Sequence, residues 1–238
     1  TAEQEAHDGH GSPGGQHHEA HGEHGHEGHG DHVGQFRRLF WIMLVLAVPV
    51  VGLTDVIAVS AGETHTLALR SDGTAWAWGE GVNGQLGDGT ASHRSVPTQV
   101  LDATGPLTGV VAVAAGGKHS LALKGDGSVF AWGYGYYGAM GDGGQAQRNR
   151  AAPVPGLSGV TAISAGDGHC LAMQTGGAAS GSLWAWGRND LGQLGDGSTM
   201  NKLTPVRVAE QVQDAQAGVY HTLLQKADGS LWGAGLND

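Results

Sequence analysis

His65-Thr-Leu-Ala-Leu-Arg-Ser-Asp-Gly-Thr-Ala-Trp-Ala-Trp-Gly79 decides the fold of this chain, because the sequence writes it four times. His119 to Gly133, His169 to Gly187 and His221 to Gly235 are the other copies. Their histidines lie 54, 50 and 52 residues apart. A period of about fifty residues points to a propeller or solenoid array.

Working outward, each copy follows a short β-branched run that ends on glycine. These runs are Val56-Ile-Ala-Val-Ser-Ala-Gly62, Val110 to Gly116, Val160 to Gly166, and the abbreviated Ala215-Gln-Ala-Gly218. They read as strands closed by turns. The stretch after each histidine places leucines on alternate positions (Leu67 and Leu69, Leu121 and Leu123), the pattern of a second strand. Asp72-Gly73, Asp126-Gly127 and Asp228-Gly229 then predict hairpin turns with positive φ at both central positions. In the third repeat this turn is expanded to Thr175–Ser182, as suits a loop tip.

The third strand alternates large rings with alanine: Trp76-Ala-Trp78, Phe130-Ala-Trp132, Trp184-Ala-Trp186. One face therefore carries bulk and the other permits close approach. A glycine-rich loop follows (Asn83 to Gly89, Tyr137 to Gly143, Leu191 to Gly197), and then Pro97, Pro153 or Pro205 opens a short apolar stretch. Proline at a strand start predicts an outer edge strand, where its missing N–H goes unused. Four short antiparallel strands per repeat make the fold all-β and the repeat a propeller blade.

Taken together, Ala-Gly-x-x-His, the aliphatic strand, Asp-Gly, Trp-Ala-Trp-Gly, Gly-Gln-Leu-Gly-Asp-Gly and Pro-Val resemble the regulator of chromosome condensation repeat over residues 54–238. The resemblance implies a seven-bladed β-propeller. The chain carries about three and a half blades of it: residues 54–108, 109–158 and 159–212, and an incomplete fourth repeat, 213–238, in which Ala234 replaces the second Trp. Blades gain stability from their neighbours, so an open stack should present two sticky ends. The resemblance also implies binding activity: eukaryotic members exchange nucleotide on a small GTPase and bind chromatin, and bacterial members include secreted proteins that bind or inhibit other proteins.

The first 32 residues differ in kind. They hold nine histidines (His7, His10, His17, His18, His21, His24, His26, His29 and His32), seven carboxylates and no Lys or Arg. With no aliphatic side chain larger than alanine, this tail is expected to be disordered. Its neutral imidazoles suit Cu, Zn or Ni. Residues 33–53 follow as an apolar segment. Arg37 and Arg38 precede fifteen uncharged residues, Leu39 to Leu53, about 22 Å as a helix against roughly 30 Å for a hydrocarbon core. Tail, arginine pair and Pro49-bearing run together resemble the N-terminus of a copper- or heavy-metal-transporting P-type ATPase over residues 7–53, which implies metal handling beside a membrane helix. Nothing downstream resembles a transporter, so the reading is a truncated membrane segment joined to a foreign chain. A twin-arginine export leader and a buried helix kinked at Pro49 are the alternatives. Membrane association or export is expected only if residues 39–53 act as an anchor or leader. A chain opening on Thr1 reads as processed or as a fragment.

Chemistry is sparse in the repeats. Gly79-x-Gly81-x-x-Gly84 and Gly133-x-Gly135-x-x-Gly138 match a dinucleotide fingerprint only in spacing, since no helix pattern follows them, and no glycine run ends in Gly-Lys-Ser/Thr. His65, His119, His169 and His221 fill one slot in four blades, so each is expected to bond backbone groups of its own blade. Cys170 occupies the slot of Thr66, Ser120 and Thr222 and reads as a small packed residue; a lone cysteine forms no intrachain disulfide. Asp88, Asp142 and Asp196 read as turn caps.

The formal net charge is −10, of which the tail supplies −7. The remainder has 12 basic against 15 acidic residues, which argues against nucleic acid. Three tyrosines, Tyr134, Tyr136 and Tyr137, break the loop pattern of the second repeat and are the candidate partner-binding residues. The reading is a non-catalytic protein-binding module that requires no cofactor. Metal handling by the tail and guanine-nucleotide exchange are the alternatives.

Overall fold

The computed structural model describes residues 52–176 and 180–236. The tail with its nine candidate metal ligands and the segment 33–51, on which the membrane and ATPase-like expectations rest, lie outside the described residues. Among the described residues every regular element is a strand, and no helix is long and apolar enough to cross a membrane.

The first blade is the meander β1 (Val56–Ala61), β2 (His65–Arg70), β3 (Ala75–Gly79) and β4 (Arg94–Gln99). The second is β5 (Val110–Ala115), β6 (His119–Lys124), β7 (Val129–Gly133) and β8 (Arg148–Pro153). The third runs through β9 (Val160–Ala165), β10 (His169–Gly176) and β11 (Ser180–Gly187) into β12 (Lys202–Ala217), and β13 (His221–Lys226) and β14 (Leu231–Gly235) follow. All pairings are antiparallel. The third and fourth repeats share one six-stranded sheet, ordered β14-β13-β12-β11-β10-β9.

That shared sheet has one cause. β12 pairs β11 up to Val212, then pairs β13 from Val212 to Ala217, so one strand serves as outer strand of one blade and inner strand of the next. Gln211, with φ of 58°, takes the turn between the two roles. The outer strands begin three residues or more before the position expected from proline. Pro97 lies inside β4, Pro153 closes β8 and Pro205 lies inside β12. β4 and β8 are edge strands as expected, while β12 is internal to its sheet.

The Asp-Gly hairpins also differ from expectation. Only the glycines take positive φ (76° at Gly73, 80° at Gly127, 83° at Gly229). Gly73 N–H donates to Arg70 C=O at 2.9 Å, and Asp72 Oδ1 accepts from both the N–H and the hydroxyl of Thr74. The aspartate thus holds the turn through its side chain and leaves the left-handed residue to glycine.

The hydrophobic core lies between blades. Leu67, Leu69, Leu86 and Val100 of the first blade meet Val110, Ala122 and Trp132 of the second. Leu121, Leu123 and Met140 meet Cys170, Ala172 and Trp186 in the same way, and Leu171, Leu183 and Leu194 meet Val212, Ala215 and Leu224. Each β2-type strand therefore sends its leucines forward to the next blade and its small residues back. Burying a side chain the size of Leu contributes about 1.5–3 kcal/mol, so the contacts between neighbouring blades are a substantial part of what stabilises each one.

Candidate protein-contact surface

The four repeat histidines are the first candidates to place; three of them, His65, His119 and His169, bond across blade boundaries rather than within their own blades, and the fourth, His221, is exposed. His65 Nε2 lies 2.9 Å from Ser120 Oγ, His119 Nε2 lies 3.1 Å from Cys170 Sγ, and His169 Nε2 lies 3.1 Å from Thr222 Oγ1. Ser120 donates its own proton to Gln85 C=O at 2.8 Å, and Thr222 donates to Gln193 C=O at 2.7 Å. With that proton committed, the hydroxyl accepts from the imidazole, which fixes the neutral Nε2–H tautomer. Trp132 and Trp186 add a further bond at the same boundaries, donating to Gln85 C=O and Ala139 C=O, each at 2.9 Å. The expectation of bonds within one blade fails because each ring stands over its own Ala-Gly turn and points outward. A Cβ on Gly116 would lie 2.4 Å from His119 Cε1, so the turn must be glycine. Burial holds His65 and His169 down to about 4 and His119 to about 3. These rings are neutral, inaccessible and structural.

Cys170 is fully buried, as expected of its slot, and burial pushes its thiol well above the usual range, so it is no nucleophile. Asp88, Asp142 and Asp196 cap their turns through Thr90, Gly144 and Ser198, and each also pairs with the first residue of the following outer strand: Arg94, Arg148 and Lys202. The two GxGxxG stretches run into turns, with Gly84 N–H bonded to Gly81 C=O and Gly138 N–H to Gly135 C=O, and no helix receives a phosphate there. Among the described residues no group of three or more His, Cys, Asp or Glu could hold a metal ion.

What remains is one face of the stack. The two residues between Ala-Gly and His in each repeat are Glu63-Thr64, Gly117-Lys118, Asp167-Gly168 and Val219-Tyr220. The Ala-Gly turns, with Glu63, Asp167 and Tyr220, line an axial mouth of about 470 Å³. Beside it a cleft of about 380 Å³ is lined by Glu63, Asn83, Lys118, Tyr134, Tyr137 and Tyr220, among others.

The three candidate tyrosines meet in the loop after β7. Tyr134 and Tyr136 stack with centroids 6.0 Å apart, and Tyr137 stands edge-on to Tyr136 at 5.1 Å. Tyr136 is 56% exposed. Tyr137 turns inward, where Arg188 of the third blade lies 5.1 Å from its ring and 5.0 Å from the ring of Tyr220 in the fourth. Asp190 grips that guanidinium with two bonds of 2.8 Å, and Asp167 lies 3.3 Å away. Hydrogen bonding to Asp190, chiefly, raises Arg188 still further. An arginine held between two rings from flanking blades makes the inner half of the site rigid. Tyr136 is left to face outward, and the half-buried Tyr134 lines the cleft with Tyr137.

The three tyrosines stand out in the sequence as candidates, whereas Arg188, Tyr220, Glu63 and Asp167, which the structure places beside them, do not. The signal was present: these residues fill the positions at which the repeats disagree with one another, namely the pair before each histidine and the loop after each Trp-Gly. Nothing in the arrangement pairs a nucleophile with a base. It offers aromatic surface, exposed polar groups and a preformed hollow, which is equipment for binding.

Comparison with known proteins agrees with this geometry. The model of the regulator of chromosome condensation (RCC1) repeat matches residues 72–123, 126–173 and 180–225. The ultraviolet-B receptor UVR8 of Arabidopsis thaliana is 32% identical over 185 residues, covering 76% of this chain and 41% of the receptor. The human E3 ubiquitin-protein ligase HERC2 is 37% identical over 171 residues, covering 70% of this chain and 4% of the ligase. Among solved structures, human WBSCR16 superposes with a TM-score of 0.66 at 24% identity, over 76% of this chain and 47% of that one. Prp20p of Saccharomyces cerevisiae gives 0.51 at 23% identity, over 77% and 57%. The chain thus spans under half the length of the receptor and of WBSCR16. A repeat model that matches three successive units, on a stack whose described boundaries each set a histidine of one blade against a hydroxyl or thiol of the next, shows that this chain belongs to the RCC1 repeat family.

Proposed function

We propose that the chain is a non-catalytic protein-binding module, about three and a half blades of a seven-bladed propeller, whose partner docks on the face bearing Tyr134, Tyr136 and Tyr137. The observation that carries this is the tyrosine cluster itself. The corresponding loops of the first and third repeats, Glu80 to Asn83 and Arg188 to Leu191, contain no aromatic residue. The blade therefore does not require these rings, yet they are packed, pre-ordered and partly exposed beside a cleft. Tyrosine offers large contact area at small entropic cost, and such residues dominate binding surfaces. Prp20p, which shares the fold, is a protein whose binding to Gsp1p and histones has been described. The same kind of use, protein recognition by the propeller face, is proposed for this chain with a partner of its own. With acidic residues in excess, nucleic acid is a poor match.

The test is affinity capture from the source cell with the intact chain and with Tyr134→Ala and Tyr136→Ala, leaving Tyr137 in place as the support of Arg188. A partner retained by the parent and lost by both variants, with unchanged circular dichroism, is the expected result. A partner held equally by all three chains overturns the site. Recovery of DNA at physiological salt overturns the choice of partner class.

A further inference from the structure

Each repeat ties its two variable loops together with one backbone bond. The residue after the Trp-Gly strand donates its N–H to the carbonyl of the residue before the histidine: Glu80 to Thr64, Tyr134 to Lys118 and Arg188 to Gly168, each at 2.9 Å. The frame is constant, so the side chains mounted on it are free to differ, and their charges do not balance. Glu63, Glu80, Asp167 and Asp190 stand on these loops against Lys118 and Arg188. Arg188 is already engaged by Asp190 and Asp167, whereas among the described residues Glu63 and Glu80 take part in no ion pair. Arg188 also shows what this face does with a cation. Its guanidinium lies 5.1 Å from the ring of Tyr137 and 5.0 Å from that of Tyr220, with carboxylates at its edge. The adjoining cleft repeats those ingredients: the ring of Tyr134, stacked on Tyr136, and the carboxylate of Glu63. Its one cation among the described lining residues is the exposed Lys118. The cleft sits at internal blade boundaries. The turn that carries Glu63 is pressed on the second blade, where Gly62 leaves no room for a Cβ beside Gly116 C=O.

We propose that the protein partner recognised by the tyrosine face inserts an arginine side chain into this cleft, its guanidinium lying on the ring of Tyr134 and against the carboxylate of Glu63. The inference rests on the tyrosine-face reading and adds to it the chemistry of the partner, a basic segment. Charge complementarity selects the sign of the guest, since an acidic segment would meet Lys118 alone and be opposed by Glu63 and Glu80. The ring selects the guanidinium. It is planar, stacks on an aromatic face and is more weakly hydrated than an ammonium, so it loses less on entering a cleft. Lys118 repels the guest and swings aside on its flexible stem, which leaves the cleft open only to a cation that also satisfies the ring and the carboxylate.

The test titrates the full chain with two labelled, capped peptides of glycine and serine, one carrying arginine and the other its neutral isostere citrulline, followed by fluorescence anisotropy. The arginine peptide should bind more tightly by about fivefold. Glu63→Gln, a change at an exposed side chain that bears no fold contact, should weaken the arginine peptide by about threefold and leave the citrulline peptide unchanged. Lys118→Gln should tighten the arginine peptide by about twofold. Equal affinity for the two peptides overturns the inference, as does the absence of saturable binding at about 1 mM peptide. So does an arginine preference that Glu63→Gln leaves intact, which would be charge attraction elsewhere on this acidic chain. In the affinity capture, a partner lost with Tyr136→Ala but retained by Glu63→Gln and undisturbed by excess arginine peptide overturns this inference alone and leaves the tyrosine face standing. A partner indifferent to both Tyr134→Ala and Tyr136→Ala removes the reading on which the inference rests.

Discussion

His119 and Cys170, from neighbouring blades, meet at 3.1 Å between Nε2 and Sγ with both side chains sealed from solvent. At the flanking boundaries the same imidazole meets a hydroxyl, Ser120 on one side and Thr222 on the other. The thiol is therefore a stand-in for a hydroxyl, held at 3.5 Å from Ala139 C=O where Ser120 makes 2.8 Å to Gln85 C=O.

Replacement at this position should follow that equivalence. Cys170→Ser should keep the parent stability to within about 1 kcal/mol, with the shorter hydroxyl bonds offsetting the lost sulfur packing. Cys170→Ala should cost about 1–3 kcal/mol, because His119 loses its partner while remaining buried. Denaturant titrations of the two variants check the order. Thiol labelling of the parent should be slow in buffer and complete in denaturant.

Acid should loosen the stack in two stages. The three buried imidazoles have folded pKa values of about 4, 3 and 4, below the free value near 6.5. Between those limits the unfolded chain binds more protons than the folded one, so stability rises with pH and is lost as pH falls through 6.5 toward 4. The slope should be about 1.4 kcal/mol per pH unit for each histidine. Below pH 4 a second loss begins, as turn carboxylates such as Asp196 protonate. Burial alone would raise Asp196, but bonds from Lys202, Ser198 and Asn189 carry it down to about 2. Midpoints of urea unfolding from pH 7 to pH 4 read the first stage, and His119→Asn should flatten it by about a third.

The two kinds of tryptophan should separate cleanly. Trp132→Ala removes a fully buried ring and its bond to Gln85 C=O, and should cost about 3–5 kcal/mol. Trp78→Ala removes the equivalent ring of the first blade, which is only partly buried among the described residues, and the cost should stay below about 2 kcal/mol. Equal losses in thermal unfolding would mean that the end blade is covered.

Ala234 marks the one internal boundary without its indole. Gln193 C=O receives the Thr222 hydroxyl there, and a Cβ on Gly195 would lie 3.2 Å from Ala234 Cβ, where the corresponding glycines Gly87 and Gly141 face Trp132 Nε1 and Trp186 Nε1. Ala234→Trp should therefore restore a buried donor to Gln193 C=O and stabilise the fourth repeat by about 1 kcal/mol. Slower amide exchange in β13 and β14 is the readout.

Much of this architecture was legible beforehand because it is local and periodic. The alternation of Leu67 with Leu69, the Trp-Ala-Trp run and the recurring glycines state strand, face and turn within a few residues, and four copies make the statement redundant. What the sequence did not disclose is long-range. That His65 bonds Ser120 rather than its own blade depends on how one sheet leans on the next. Spacing alone does not report that angle. The site was half legible for the same reason. Tyr134, Tyr136 and Tyr137 stand out as a departure from the repeat, whereas Arg188 and Tyr220 join them only after three blades are laid side by side.

β12 runs unbroken from the third blade into the fourth, turning at Gln211 without leaving the sheet. A pull applied beyond Gly235 would first unzip β14 and β13 one bond pair at a time, a weak mode of resistance. It would then load β12 lengthwise against β11, where all the bonds are strained together. The first two blades have no such shared strand and are joined to their neighbours by side-chain packing, loops and separate hydrogen bonds such as those of His65 and Trp132. Under tension this stack should part between blades one and two, or two and three, while the last junction holds as a tether.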